Sequence, residues 1–134
     1  MTEADKDDLF YVCSLVEFIA RKTKNKRGVV ANRLGIDGFA KQLKDAQVNH
    51  CLSFEQVGEE VVEQYKIPQG DFESVENCKY DIPSYTDIGN LYCIMVLDCA
   101  KNGNEIETAI KIFTSPISDY ISNFNSYCYY QNPS

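Results

Sequence analysis

Apolar residues recur along most of the chain at the spacing of a helix. Leu9, Cys13, Val16 and Ala20 follow steps of four, three and four, with Val12 and Ile19 widening the stripe. That period predicts an amphipathic helix over 6–22. Asp5 is placed to cap it, Asp7 and Asp8 suit the positive end of its dipole, and Arg21 and Lys22 suit the negative end. The polar tract 23–27 predicts a turn. A short helix over 28–34 follows, ended by Gly35 in a left-handed conformation. A third helix starts at Asp37 or Gly38, carries Phe39, Leu43 and Ala46 on one side, and ends near Val48.

Ser53-Phe54-Glu55-Gln56 has the form of a capping box and predicts a helix over 53–66. Its buried stripe is Phe54, Val57, Val61 and Tyr65, with Glu55, Glu59, Glu60 and Glu63 largely outside. Residues 69–83 keep no sustained period and read as an ordered loop, the one candidate hinge. Ser84 opens a helix over 84–101 whose apolar residues cover most of its circumference, which marks it as the central and most buried element. After the Asn102-Gly103 turn, Asn104 is placed to cap a segment over 104–125, interrupted at Ser115-Pro116, where proline starts a new helical turn. The expected fold is all-α, a single helical bundle of five to seven helices in one domain over 1–134.

Composition changes this picture little. With 44% apolar and 25% charged residues over 134 positions, the chain has the balance of one globular domain, not of a disordered or collagen-like polymer. Its most apolar stretch, 91–97, ends at Asp98 after seven residues, whereas a membrane-spanning helix needs about 20. The first eight residues carry four acids and one lysine, the wrong sign for a secretory signal. Six cysteines stand at 13, 51, 78, 93, 99 and 128. Three disulfides would satisfy an even count, but the absence of a secretory start and of Cys-x-x-Cys spacing favours reduced thiols and a cytoplasmic protein.

Charge is divided unevenly. Residues 9–50 hold eight bases and three acids, a balance of +5, while residues 51–134 hold four bases and thirteen acids, a balance of −9. The run 21–27 contains Arg21, Lys22, Lys24, Lys26 and Arg27. It reads either as one solvated face or as a patch that meets phosphate or an acidic protein.

Candidate chemistry is sparse. His50-Cys51 pairs a base with a nucleophile, but adjacent side chains diverge and no third residue orients them, so catalysis and zinc binding are both disfavoured there. Glu59, Glu60 and Glu63 lack the helix-borne histidine of a di-metal site. No phosphate-binding glycine loop is present, and no cofactor is expected. Residues 31–36, Ala-Asn-Arg-Leu-Gly-Ile, partly match a helix-turn-helix turn. On that reading residues 28–47 would offer Arg33, Lys41, Lys44 and Gln47 to a nucleic acid, although Lys41 falls where such motifs bury an aliphatic side chain.

The stretch 10–65 joins a hydrophobic first helix with Glu17 near its middle, a lysine-rich turn, the sequence Val48-Asn49-His50-Cys51-Leu52-Ser53, and an acidic helix ending at Tyr65. In this it resembles a small bacterial family of unknown function, common in gut Firmicutes and often encoded beside ADP-ribosyltransferase-like toxins. His50-Cys51 replaces that family's usual His-Thr turn. The resemblance implies an antitoxin or companion role and supplies no catalytic residues. The functional expectation is a non-enzymatic protein-protein interaction module, with a toxin as one candidate partner and a DNA-binding regulator as the alternative. The expected contacts are the tail tyrosines Tyr127, Tyr129 and Tyr130, half apolar and half polar as interface residues are. The acidic set Glu55, Glu59, Glu60 and Glu63 comes second, steering a basic partner.

Overall fold

In the computed structural model, residues 2–72, 83–101 and 103–118 are described. They form five α-helices in the order α1 (Glu3–Thr23), α2 (Arg27–Asn49), α3 (Phe54–Tyr65), α4 (Tyr85–Cys99) and α5 (Glu105–Phe113), and no strand occurs among them. The all-α class is therefore as the apolar periodicity predicts.

The centre of the bundle is α1, not α4. Six consecutive residues of α1, Val12 to Glu17, are buried, so its middle is enclosed on every side. Its broadest contact is with α4, followed by α2 and then α3. In α4, Ile88, Tyr92, Cys93 and Val96 face inward, but Ile94, Asp98 and Cys99 are exposed. Apolar residues around an axis mark where a helix could be buried; among the described residues the other helices cover the Ile88, Tyr92 and Val96 side of α4 and leave Ile94, Asp98 and Cys99 exposed.

Local chemistry explains the ends. Thr2, not Asp5, caps α1: the Asp5 N–H donates to the Thr2 hydroxyl and the Thr2 N–H donates to the Asp5 carboxylate, both at 3.1 Å. Asp5 thus fills the fourth position of a capping box and the helix starts three residues earlier than expected. Lys24, in the left-handed region at φ 57°, stops α1. Gly35 interrupts α2 at φ 66° and ψ −176°. This combination is open to glycine and strained for other residues, and it lets the chain bend and resume as a second helical segment. Ser53 and Ser84 cap α3 and α4 by accepting from the Gln56 and Asp87 N–H groups at 3.1 and 3.0 Å. Asn104 makes no such bond to α5. Its side chain accepts instead from the Lys101 N–H at 2.7 Å and so holds the preceding turn. The expected helix over 104–125 stops at Phe113, with a helical turn resuming at 116–118 after the Ser115-Pro116 break. Residues 119–125 lie outside the described residues.

One core spans both halves of the chain. Leu9, Val12, Val16 and Ile19 of α1 share it with Val30, Ala31 and Phe39 of α2, Val57 and Val61 of α3, Ile88, Tyr92 and Val96 of α4, and Ala109 and Phe113 of α5. The start of the expected hinge is strapped down. The Gly70 and Phe72 N–H groups donate to the Thr23 and Lys24 carbonyls at 2.8 Å, and Asn25 Nδ2 donates to the Pro68 carbonyl at 2.6 Å. The described cysteines, Cys13, Cys51, Cys93 and Cys99, are free thiols. Cys99 is exposed, although its apolar surroundings in sequence suggest burial.

Candidate interaction surface

Phe54 begins α3 and turns its ring back onto α1. It stacks on Tyr11 at 5.2 Å between centroids and meets Phe18 at 5.7 Å and Tyr85 at 5.0 Å, while Phe18 and Tyr85 are 5.3 Å apart. All four rings are half-buried. They form an aromatic ridge where α1, α3 and the start of α4 converge.

A cleft lies on either side of this ridge. The first, of about 300 Å³, has Phe18, Ile19, Gly58 and Val62 on its floor, with Glu55, Glu59, Glu63 and Lys22 among the charged residues lining it. These three glutamates recur every four residues and so fall along one edge of α3. They make no salt bridge among the described residues. Glu60 is exposed but does not line this cleft. The structure thus brings three of the four acids singled out by sequence to one apolar groove. The second cleft, of about 410 Å³, is bounded by Asp7, Asp8, Phe10, Tyr11, His50 and Phe54, among others. Asp7, Tyr11, Phe18 and Lys22 follow steps of four, seven and four on α1, so both clefts open along one stripe of that helix.

The basic run 21–27 does not form a continuous surface patch. Arg27 is only 2% exposed and its guanidinium is an internal strut. Its Nε donates to the Glu17 carboxylate, its Nη1 donates to the Tyr92 hydroxyl and the Ser118 carbonyl, both at 3.1 Å, and its Cζ lies 5.1 Å over the Tyr92 ring. Tyr92 also shares a 2.8 Å hydrogen bond with the Ser118 hydroxyl and stacks on Phe113 at 4.3 Å. Arg21, half-buried, donates to the other Glu17 oxygen at 2.7 Å and to the Pro83 carbonyl at 2.6 Å. Burial pulls the Arg27 pKa down, but the Glu17 carboxylate and the Tyr92 hydroxyl more than offset this and hold it above its ordinary value. The one signal of this network in the sequence is Glu17 itself, an acid between Val16 and Phe18 in the most apolar part of a helix. Such an acid needs an internal cation.

Three of the four residues of the DNA-binding alternative stand beside carboxylates. Lys41 pairs with Asp45 at 2.8 Å, Lys44 shares a small cleft with Asp5 and Asp8, and Gln47 Nε2 donates to Asp8. Arg33 is exposed on the segment before the Gly35 break. His50 is the C-cap of α2, and its Nδ1 lies 4.0 Å from the exposed Cys51 sulfur. Among the described residues no group of three or more His, Cys, Asp or Glu could hold a metal ion. Nor is any helix there long and apolar enough to cross a membrane. Tyr127, Tyr129 and Tyr130 lie outside the described residues. No family model, curated protein or solved structure matches this chain.

Proposed function

We propose that this protein is a non-enzymatic interaction module whose α1–α3 face holds a basic segment of another protein. The observation that carries this reading is the first cleft, an apolar floor of Phe18, Ile19, Gly58 and Val62 walled by Glu55, Glu59 and Glu63, none of which makes a salt bridge among the described residues, although Lys22 lines the same cleft. A lysine or arginine suits such a site because its aliphatic stem covers apolar surface while its charged head meets carboxylates. The acids speed encounter with a basic partner, and the apolar floor supplies the contact that retains it. The resemblance noted in the sequence makes a toxin encoded beside this protein the first partner to assay. The DNA-binding alternative has less support, because Asp5, Asp8 and Asp45 stand beside Lys44 and Lys41, two of the three cations that phosphate would need.

The reading is tested by titrating the protein with a lysine- and arginine-containing amphipathic peptide and with random duplex DNA, each at low and physiological salt. The expected result is peptide binding that weakens about tenfold or more in Glu59→Gln/Glu63→Gln, each lost contact to a charged group being worth about 1.5 kcal/mol. Duplex binding that survives this substitution and falls steeply with salt would establish the nucleic-acid reading instead.

A further inference from the structure

We infer that the two clefts act together, and that the partner segment is a helix carrying two arginines eleven residues apart, one for each cleft, with apolar residues between them on the aromatic ridge. This rests on the reading of the α1–α3 face as a docking surface and specifies what docks there. The α1 residues of the second cleft centre near position 10 and those of the first near position 20. At 1.5 Å per residue the two clefts are therefore about 15 Å apart along the axis. On a partner helix lying along α1, residues i and i+11 return to the same face after about 16 Å.

Charge and ring chemistry select the same side chain at both ends. The first cleft offers Glu55, Glu59 and Glu63 beside the Phe18 ring. The second offers Asp7, and next to it Asp8, whose Oδ1 also accepts from Gln47, beside the Tyr11 and Phe54 rings. A planar guanidinium satisfies both features, pairing with a carboxylate through its edge and stacking on an aromatic ring through its face. Between the clefts the Phe54, Phe18 and Tyr85 rings, within 5.7 Å of one another, present apolar surface without charge. Lys22 in the first cleft and His50 in the second stand on the same rims, so the segment's cations must sit toward the glutamates of α3 and the aspartates of α1.

Two alanine-rich helical peptides of identical composition separate the possibilities. One carries arginines at i and i+11, the other at i and i+9, nearly the same distance apart but on opposite faces. Their helicity is matched by circular dichroism, and each is titrated into the full chain by calorimetry. The i, i+11 peptide is expected to bind at least tenfold more tightly. Asp7→Asn/Asp8→Asn and Glu59→Gln/Glu63→Gln, checked for unchanged melting temperature, should each remove most of that advantage. Equal binding of the two peptides, both weakened by the glutamate substitutions, would overturn the two-cleft inference and leave the acidic docking face standing. An i, i+11 advantage untouched by the aspartate substitutions would also overturn it. Failure of both peptides to bind would remove both readings.

Discussion

Gly89 of α4 lies so close to Ser14 of α1 that a Cβ built on it would stand 2.7 Å from the Ser14 backbone N and Cα and collide with the Ser14 hydroxyl. The neighbouring atoms are largely backbone and cannot rotate away, so the two helix axes would have to separate. Overpacking of this kind costs about 1–3 kcal/mol. Gly89→Ala should therefore lower the melting temperature by several degrees, even though alanine is the better helix former. Among the described residues the buried Ser14 Oγ has no hydrogen-bond partner. Leaving a buried hydroxyl unpaired costs about 1–3 kcal/mol, so Ser14→Ala should be neutral or stabilising. Thermal melts of the two single variants and the double variant measure both effects.

The Glu17–Arg27 pair makes a harsher prediction. Both side chains are 2% exposed, and removing Arg27 leaves the buried Glu17 carboxylate with only the half-buried Arg21 to balance it among the described residues. Such a loss costs about 3–5 kcal/mol, much of the total stability of a small domain. Arg27→Met should thus populate unfolded protein at room temperature in modest urea. Replacing both residues, as Glu17→Leu/Arg27→Met, should recover much of that loss, because the paired apolar change abolishes the desolvation cost as well. A double variant no more stable than the worse single variant would show that the bonds from Arg27 to Tyr92 and Ser118 matter more than its pairing with Glu17.

These two contacts also mark what a linear sequence exposes. Helix type follows from apolar period, and α1, α3 and α4 stand where Leu9–Ala20, Phe54–Tyr65 and Ile88–Cys99 predict them. Which helix is central does not follow, because it depends on how many neighbours cover each face. Ser14 and Glu17 are polar letters in α1, yet both are buried since α4 and α2 close over them. Arg27 ends a basic run that reads as a surface feature, either a solvated face or a patch for an acidic partner, and only the fold places it against Glu17. The acids of α3 are legible as a face by their spacing. Their apolar floor is not, since Phe18 and Ile19 come from a helix more than thirty residues earlier in the chain.

Alkaline pH should destabilise the fold. Burial pushes the Cys13 thiol well above its ordinary value, with Cys93 nearby adding to the shift. Burial, reinforced by Asp7, also raises the Cys93 thiol. Tyr92 is raised by burial despite the opposing Arg27 charge. In the unfolded chain these groups lose their protons near their ordinary values, 9.0 for the thiols and 10.0 for the phenol, while the folded chain retains them. The unfolded state therefore binds fewer protons at high pH. The stabilisation is complete below about pH 8 and declines through pH 9 and above. Urea midpoints between pH 7 and 10 should fall, and Cys13→Ala, less stable at pH 7, should show a shallower decline.

The same burial governs thiol reactivity. A thiolate is the reactive form, and a raised pKa in a closed site suppresses both ionisation and access. With iodoacetamide at pH 8, Cys51 and Cys99 should be modified within minutes and Cys13 only as the protein unfolds. Peptide mass mapping over time measures this order. Rapid labelling of Cys13 would mean that α1 and α4 separate readily in solution.

Amide exchange provides the most direct measure of which helix forms the centre. Exchange of a buried helical N–H requires the local structure to open, and the slowest amides report the last elements to separate. The middle of α1 is enclosed by α4, α2 and α3, and six successive residues there are buried. By contrast, α4 exposes Ile94, Asp98 and Cys99 toward its C-terminal end. Amides of residues 12–17 should therefore exchange near the rate set by global unfolding, with those of residues 94–99 at least tenfold faster. Since α1 cannot open without disrupting its contacts with three other helices, Arg27→Met should accelerate the α1 core amides by the same factor that it lowers the global stability. If α4 proved slower than α1 throughout, the central position of α1 would be lost, and with it the reason that Glu17 requires an internal partner.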